Sequence, residues 1–171
     1  MSASVSVGLL ILRVVAGLTL TGHGAQKVFG WFGGAGLAKT VAGYQSQGLQ
    51  PGWLWAGLMA LGEIGGGLSV AFGFLTPLGA AGMVGAMVMA IFKVHWRNGF
   101  WNTKRGFEFP LQLLAAAVTL GLTGAGAYSL DALAHIHLPL NVFLILTIAA
   151  LITDAIGLFI SGRATSAPKP A

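Results

Sequence analysis

Leu75-Thr76-Pro77 is the whole connection between two apolar runs, one from about Trp53 to Leu75 and one from about Pro77 to Trp96. Proline suits the first turn of a helix, where its missing N–H is not needed. Each run is apolar on every side and about 20 residues long, enough to cross a hydrocarbon layer of about 30 Å as a helix. In lipid only a helix or a closed barrel satisfies its own backbone, and these continuous runs call for helices. The two runs therefore form an antiparallel hairpin of membrane helices.

Three more runs of this kind extend from about Val5 to Gly22, Glu108 to Thr123 and Leu138 to Ile160. The 171 residues are 56% hydrophobic and 8% charged, against about a quarter charged in a soluble domain. The expected fold class is an all-α membrane protein with five spans. The first run reads as a span rather than a removable signal, because it lacks a basic leader and carries Arg13 in its middle. No Cys is present, which excludes dithiol chemistry, iron–sulfur ligation and c-type haem. The net charge of +5 does not imply nucleic acid, since the basic residues border apolar spans and face anionic lipid there.

Topology follows from where those charges lie. Lys27, Lys39, Lys93, Arg97, Lys104, Arg105, Arg163 and Lys169 follow the first, third and fifth runs, whereas the opposite side holds only Asp131, His135 and His137. The positive-inside rule predicts an external N-terminus and a cytoplasmic C-terminus. Between His23 and Gly52, the residues Phe29, Trp31 and Phe32 resemble interfacial anchors. Leu37, Val41 and Tyr44 then recur at helical spacing, predicting a short helix in the membrane interface.

In so apolar a chain the few polar groups inside the spans are the first candidates for function. Arg13 lies about 12 Å into the first helix and Glu63 about 15 Å into the second, which enters from the other side. Both depths approach the bilayer centre, where ionisable groups are costly and pair. The expected arrangement is a buried Arg13–Glu63 pair. A second concentration is Val94-His95-Trp96-Arg97-Asn98-Gly99-Phe100-Trp101-Asn102-Thr103-Lys104-Arg105-Gly106-Phe107-Glu108-Phe109-Pro110. Topology brings His23, Gln26, His95, Asn98, Asn102, Lys104, Glu108 and Asp154 to one depth, with aromatic walls nearby. His with a neighbouring carboxylate relays protons, and aromatic walls suit a flat lipophilic ligand. A quinone headgroup, with two carbonyls and two protons to take up, fits that description. No metal site is expected, because His135 and His137 with Asp131 make a weak ligand set in an exposed loop.

Leu12-Arg13, the run His23-Gly24-Ala25-Gln26-Lys27-Val28-Phe29-Gly30-Trp31-Phe32-Gly33-Gly34, Glu63-Ile64-Gly65-Gly66, Asn98-Gly99-Phe100-Trp101-Asn102-Thr103-Lys104 and Glu108-Phe109-Pro110 occur in that order. In this the chain resembles the DoxX family of small membrane proteins, over roughly residues 5 to 133. The resemblance implies a four-helix DoxX-like transmembrane bundle, here residues 1–133. To it are added a fifth C-terminal transmembrane helix (134–162), the short interfacial helix and a cytoplasmic tail (163–171). It further implies association with respiratory or redox assemblies; together with the polar and aromatic cluster, the leading expectation is the membrane subunit of a quinone-linked oxidoreductase assembly, with a partner subunit, no built-in cofactor and quinone as the bound ligand. A homo-oligomer is compatible with it, and the bacterial inner membrane is the expected location. The alternatives are a non-enzymatic scaffold, using glycine-rich faces to pack partner helices, and a small-solute carrier.

Overall fold

The computed structural model describes residues 2–166, with side chains through Arg163. Helix α1 (Ala3–Phe29) starts at Ser2, whose hydroxyl accepts from the Val5 N–H, and stops at Gly30 in the left-handed conformation. It runs two turns past the predicted end at Gly22, because nothing between His23 and Phe29 interrupts a helix; a residue at φ 73° ends it. A single tight turn at Trp31–Gly33 leads to the expected short helix, α2 (Gly36–Ser46), which packs on α1 and on the next helix. The Thr40 hydroxyl ties α2 to α1 by donating to the Lys27 carbonyl at 2.9 Å.

Helices α3 (Gly52–Phe72) and α4 (Thr76–Asn98) form the predicted hairpin. Its three-residue turn depends on a distant carboxylate. Asp131 accepts from the Leu75 N–H at 2.7 Å, the Thr76 N–H at 3.0 Å and the Thr76 hydroxyl at 2.6 Å, capping the first turn of α4. Helix α5 (Glu108–Thr123) has 16 residues, about 24 Å, and is the one predicted span short of a full crossing. The chain then folds back over that end through the one-turn α6 (Leu130–Leu133) before α7 (Leu140–Ser166). The tail expected from Arg163 is helical to Ser166, and the rest of it lies outside the described residues. Helices α1, α3, α4 and α7 are each long and apolar enough to cross a membrane, and no strand occurs among the described residues.

Helix α4 occupies the centre, touching α3, α5 and α7, while α1 closes the bundle against α3 and α5. Leu20, Val70, Ala80, Met83, Ala117, Leu120 and Phe143 fill the shared core. Lipid offers no hydrophobic drive between helices, so tight backbone approach through small residues holds them together. A methyl group added at Gly17 would lie 2.5 Å from the Gly67 carbonyl oxygen, and one at Gly62 would lie 2.8 Å from that of Gly82. The Gly62–Gly66 spacing therefore binds α3 to α4 within the chain. Two stretches depart from α geometry: Leu61–Gly65 in α3 and Ala90–His95 in α4 are π-helical turns.

Because the atoms facing Gly17 are backbone, Gly17→Ala should force α1 and α3 apart and cost about 1–3 kcal/mol. Gly8, also in α1, meets nothing within 4 Å, so Gly8→Ala should be neutral or slightly stabilising. Thermal unfolding of both variants in the same detergent checks this; equal melting temperatures would contradict the proposed contact.

Candidate functional site

Arg13 and Glu63 are both buried, at 3% and 2% exposure, but they do not meet. Gly17 packs against Gly67 and Ala71, Gly24 packs against Glu63 and Ile64, and Gly73 packs against Arg13. This register leaves Arg13 about ten residues, or about 15 Å, from the level of Glu63. The expected pair is corrected accordingly. Arg13 donates to the Ala71 carbonyl at 3.1 Å and to the Tyr128 carbonyl, fastening α1 to the end of the hairpin and to the loop before α6. Its Nε is buried without a partner, and Arg13 borders a second hollow lined by Ala71, Tyr128 and Ser129.

Glu63 instead binds Lys27, with Nζ to Oε1 at 2.5 Å. Lys27 reaches it because α1 continues through the segment expected to be a loop. The other Glu63 oxygen, Oε2, is buried without a partner. Both residues line a cavity of about 220 Å³ enclosed by α1, α2, α3, α4 and α7. Asp154 enters it from α7, 8% exposed and with Oδ2 unpartnered, and Lys93 enters from α4. Tyr44, Trp55, Met59 and Met89 supply aromatic and thioether surface, with Gly82, Gly85 and Ala86 beneath. Both π turns reach this one cavity, through Leu61, Gly62 and Glu63 and through Ala90, Lys93 and Val94. Such turns redirect side chains and are frequent at functional sites.

Tyr44 belongs to α2, outside the spans. Burial, and secondly the Glu63 carboxylate, push its phenol well above the usual tyrosine range. Around this small volume lie two carboxyls, two ammonium groups and a phenol. They can donate to or accept from a polar ligand and exchange protons with it.

The remaining predicted site residues lie elsewhere. The His95 ring nitrogen Nδ1 and the Asn98 amide both meet the Arg105 carbonyl, at 2.7 and 3.1 Å. Glu108 accepts from the Asn102 backbone N–H at 2.9 Å, at the N-terminus of α5, where a carboxylate is favoured. Phe92, Trp96 and Phe107 stack in sequence, with ring centroids 5.2 and 5.3 Å apart. These contacts close α4 onto α5, and of the residue 94–110 stretch only Val94 lines the cavity. His23 sits against Phe109 at 5.2 Å, facing α5, and Gln26 is half-buried off the cavity wall. Lys104 is exposed. Among the described residues no His, Asp and Glu cluster suited to a metal occurs, and Asp131 is occupied by its cap.

Of the candidate ligand-binding residues, the structure brings Glu63 alone to this cavity; Asp154, expected only at the depth of the cytoplasmic cluster, joins it, with Lys27, Tyr44 and Lys93. A signal for Lys27 was available: Glu63 needs a cation at its own depth, and Lys27 ends a helix-compatible run. Tyr44 falls on the stripe Leu37, Val41, Tyr44, which reads equally well as facing lipid or protein.

The family model described as DoxX matches residues 8–96, a stretch that carries Lys27, Tyr44, Glu63 and Lys93 but not Asp154. The chain is similar to Inner membrane protein YqjF of Escherichia coli (strain K12), at 31% identity over 127 residues. That alignment covers 74% of this chain and 92% of the relative. No solved structure matches the chain.

With two tyrosines in the chain, a Tyr128→Phe background isolates Tyr44 for phenolate absorbance titration. Tyr44 should ionise well above the usual value of about 10, and Glu63→Gln should move that transition down. A phenol raised in the fold favours folding fully below about pH 10, and this contribution is lost as pH rises above that value while Tyr44 keeps its proton. Ionisation of Tyr44 at the free-tyrosine pH would contradict its burial beside Glu63.

Proposed function

This chain belongs to the DoxX family, and on that premise we propose that it is the membrane subunit of a redox assembly. It binds a quinone or similar lipophilic ring in the cavity between Lys27, Glu63, Lys93 and Asp154. The observation that carries this reading is the pair of buried carboxyls, Glu63 and Asp154, each with an unpartnered oxygen in a cavity walled by Trp55 and Tyr44. An ionisable group inside a span is too costly to be idle, and an unsatisfied one asks for a ligand or a proton. A quinone ring offers carbonyl acceptors to the ammonium and phenol donors. On reduction it needs two protons, which carboxyls at the same depth are placed to exchange.

The size of the cavity supports a headgroup rather than a whole molecule. Its 220 Å³ falls just below the roughly 300 Å³ at which small-molecule sites begin. The chain's own part is binding and proton handling, and electrons are assigned to a partner subunit. The basic end is assigned to the cytoplasm of a bacterium by the charge bias, with YqjF, named an inner membrane protein, as support for the membrane concerned. The scaffold alternative loses its main argument, because Gly17, Gly62 and Gly66 are spent on contacts within the chain.

Quenching of tryptophan fluorescence by a short-chain ubiquinone in lipid nanodiscs tests the reading. Wild-type protein should bind saturably. Glu63→Gln and Asp154→Asn should each weaken binding by about tenfold or more, as expected when a hydrogen bond involving a charged group is lost at about 1.5–3 kcal/mol. Unchanged affinity in variants that melt like the wild type would reject the assignment.

A further inference from the structure

The cavity is not a closed chamber, and its rim has a chemistry of its own. Leu58 and Leu61 of α3 line it, yet they are 40% and 70% exposed on the outer surface of the bundle. Residues that border a cavity and also face outward mark its mouth. Opposite them on α7 stand Ala150 and Thr153, both cavity-lining and half-buried. The Thr153 hydroxyl turns back to its own helix, donating to the Ala149 carbonyl at 2.9 Å, so it leaves the slot surface apolar. The floor is α4, where Gly82, Gly85 and Ala86 keep the space between α3 and α7 open.

The slot has a defined lower edge. The Trp55 ring lies directly on Gly157, bridging α3 and α7 toward the basic end. Leu61 is six residues further along α3, about 9 Å deeper into the membrane. The polar groups Lys27, Tyr44 and Lys93 belong to the basic end, whereas the rim at Leu58, Leu61, Ala150 and Thr153 exposes only hydrocarbon and a satisfied hydroxyl. A bilayer surrounds a rim of that depth and composition, so this mouth opens sideways into lipid, while Val94 of α4, also cavity-lining and 51% exposed, marks a second opening at the basic end.

The geometry points to a lateral portal between α3 and α7. The ligand is an amphiphile with a flat polar head held among Lys27, Glu63, Lys93 and Asp154, and a hydrocarbon tail leaving through the slot past Leu61 and Ala150. This rests on the cavity being the ligand site.

A ubiquinone analogue with a diazirine at the end of a decyl tail, photolysed in proteoliposomes and mapped by peptide mass spectrometry, tests the path of the tail. Labelling should fall on Leu58, Leu61, Ala150 or Thr153, and excess unlabelled decylubiquinone should abolish it. Leu61→Trp, at a position exposed enough to accept the larger ring without unfolding, should reduce that competed labelling at least about fivefold. Competed labelling on the α2 side, near Trp31 to Tyr44, would overturn the portal and leave the cavity reading intact. Labelling that decylubiquinone does not compete, at any position, would overturn both.

Discussion

An ionised Glu63 is costly in hydrocarbon without a cation, and the position of that cation is set by how closely α1 and α3 approach each other. Gly17 against Gly67, and Gly24 against Glu63 and Ile64, fix the register of the two helices by backbone contact. A slip of one helical turn, about 5.4 Å, would carry Lys27 out of reach of Glu63. The pair at 2.5 Å is therefore a consequence of glycine placement as much as of charge. Removing Lys27 leaves the buried Glu63 carboxyl uncompensated, which is far more costly than the pair is stabilising, whereas Lys27 itself is partly exposed. The same register sends Arg13 to the opposite end, where backbone carbonyls of Ala71 and Tyr128 accept from its two terminal nitrogens while its buried Nε has no partner.

The two π turns complete this arrangement. An extra residue in a turn rotates everything after it around the helix axis, at some cost in backbone geometry. In α3 the turn contains Glu63 itself and in α4 it contains Lys93, and both side chains line one cavity. A single distortion would be unremarkable packing in a glycine-rich helix. Two, on neighbouring helices and at one cavity, concentrate the irregular backbone of the spans at the place where the ionisable side chains are.

Much of the fold was legible because lipid leaves few options: the spans, the hairpin at Thr76 and the short helix near Tyr44 follow from apolar length and turn chemistry. The ends were less legible. The apolar run ends at about Gly22, but the polar residues His23, Gln26 and Lys27 do not stop a helix and Gly30 does. That one misplaced boundary hid the cation of Glu63 and led to the Arg13 pairing. Depth counted along each helix from its own end gave both residues the same height, but relative register depends on three-dimensional contacts between glycines that no count along one chain provides. The pairing of Asp131 with a turn 55 residues away was hidden for the same reason.

The larger lesson concerns where polar residues carry meaning in a membrane protein. The stretch from Val94 to Pro110 is the densest in polar and aromatic groups, yet its hydrogen bonds go to its own backbone: His95 and Asn98 to Arg105, and Glu108 to Asn102. A loop at the membrane surface must satisfy its carbonyls and N–H groups while bringing two helix ends together, and that demand alone explains such a composition. In the spans the demand is absent, because the helices satisfy their own backbone. A carboxyl there has no structural task unless it pairs, as Glu63 does in part and Asp154 does not. Density of polar residues thus marks the loop that joins two helix ends, and isolation in an apolar run marks the candidate cavity.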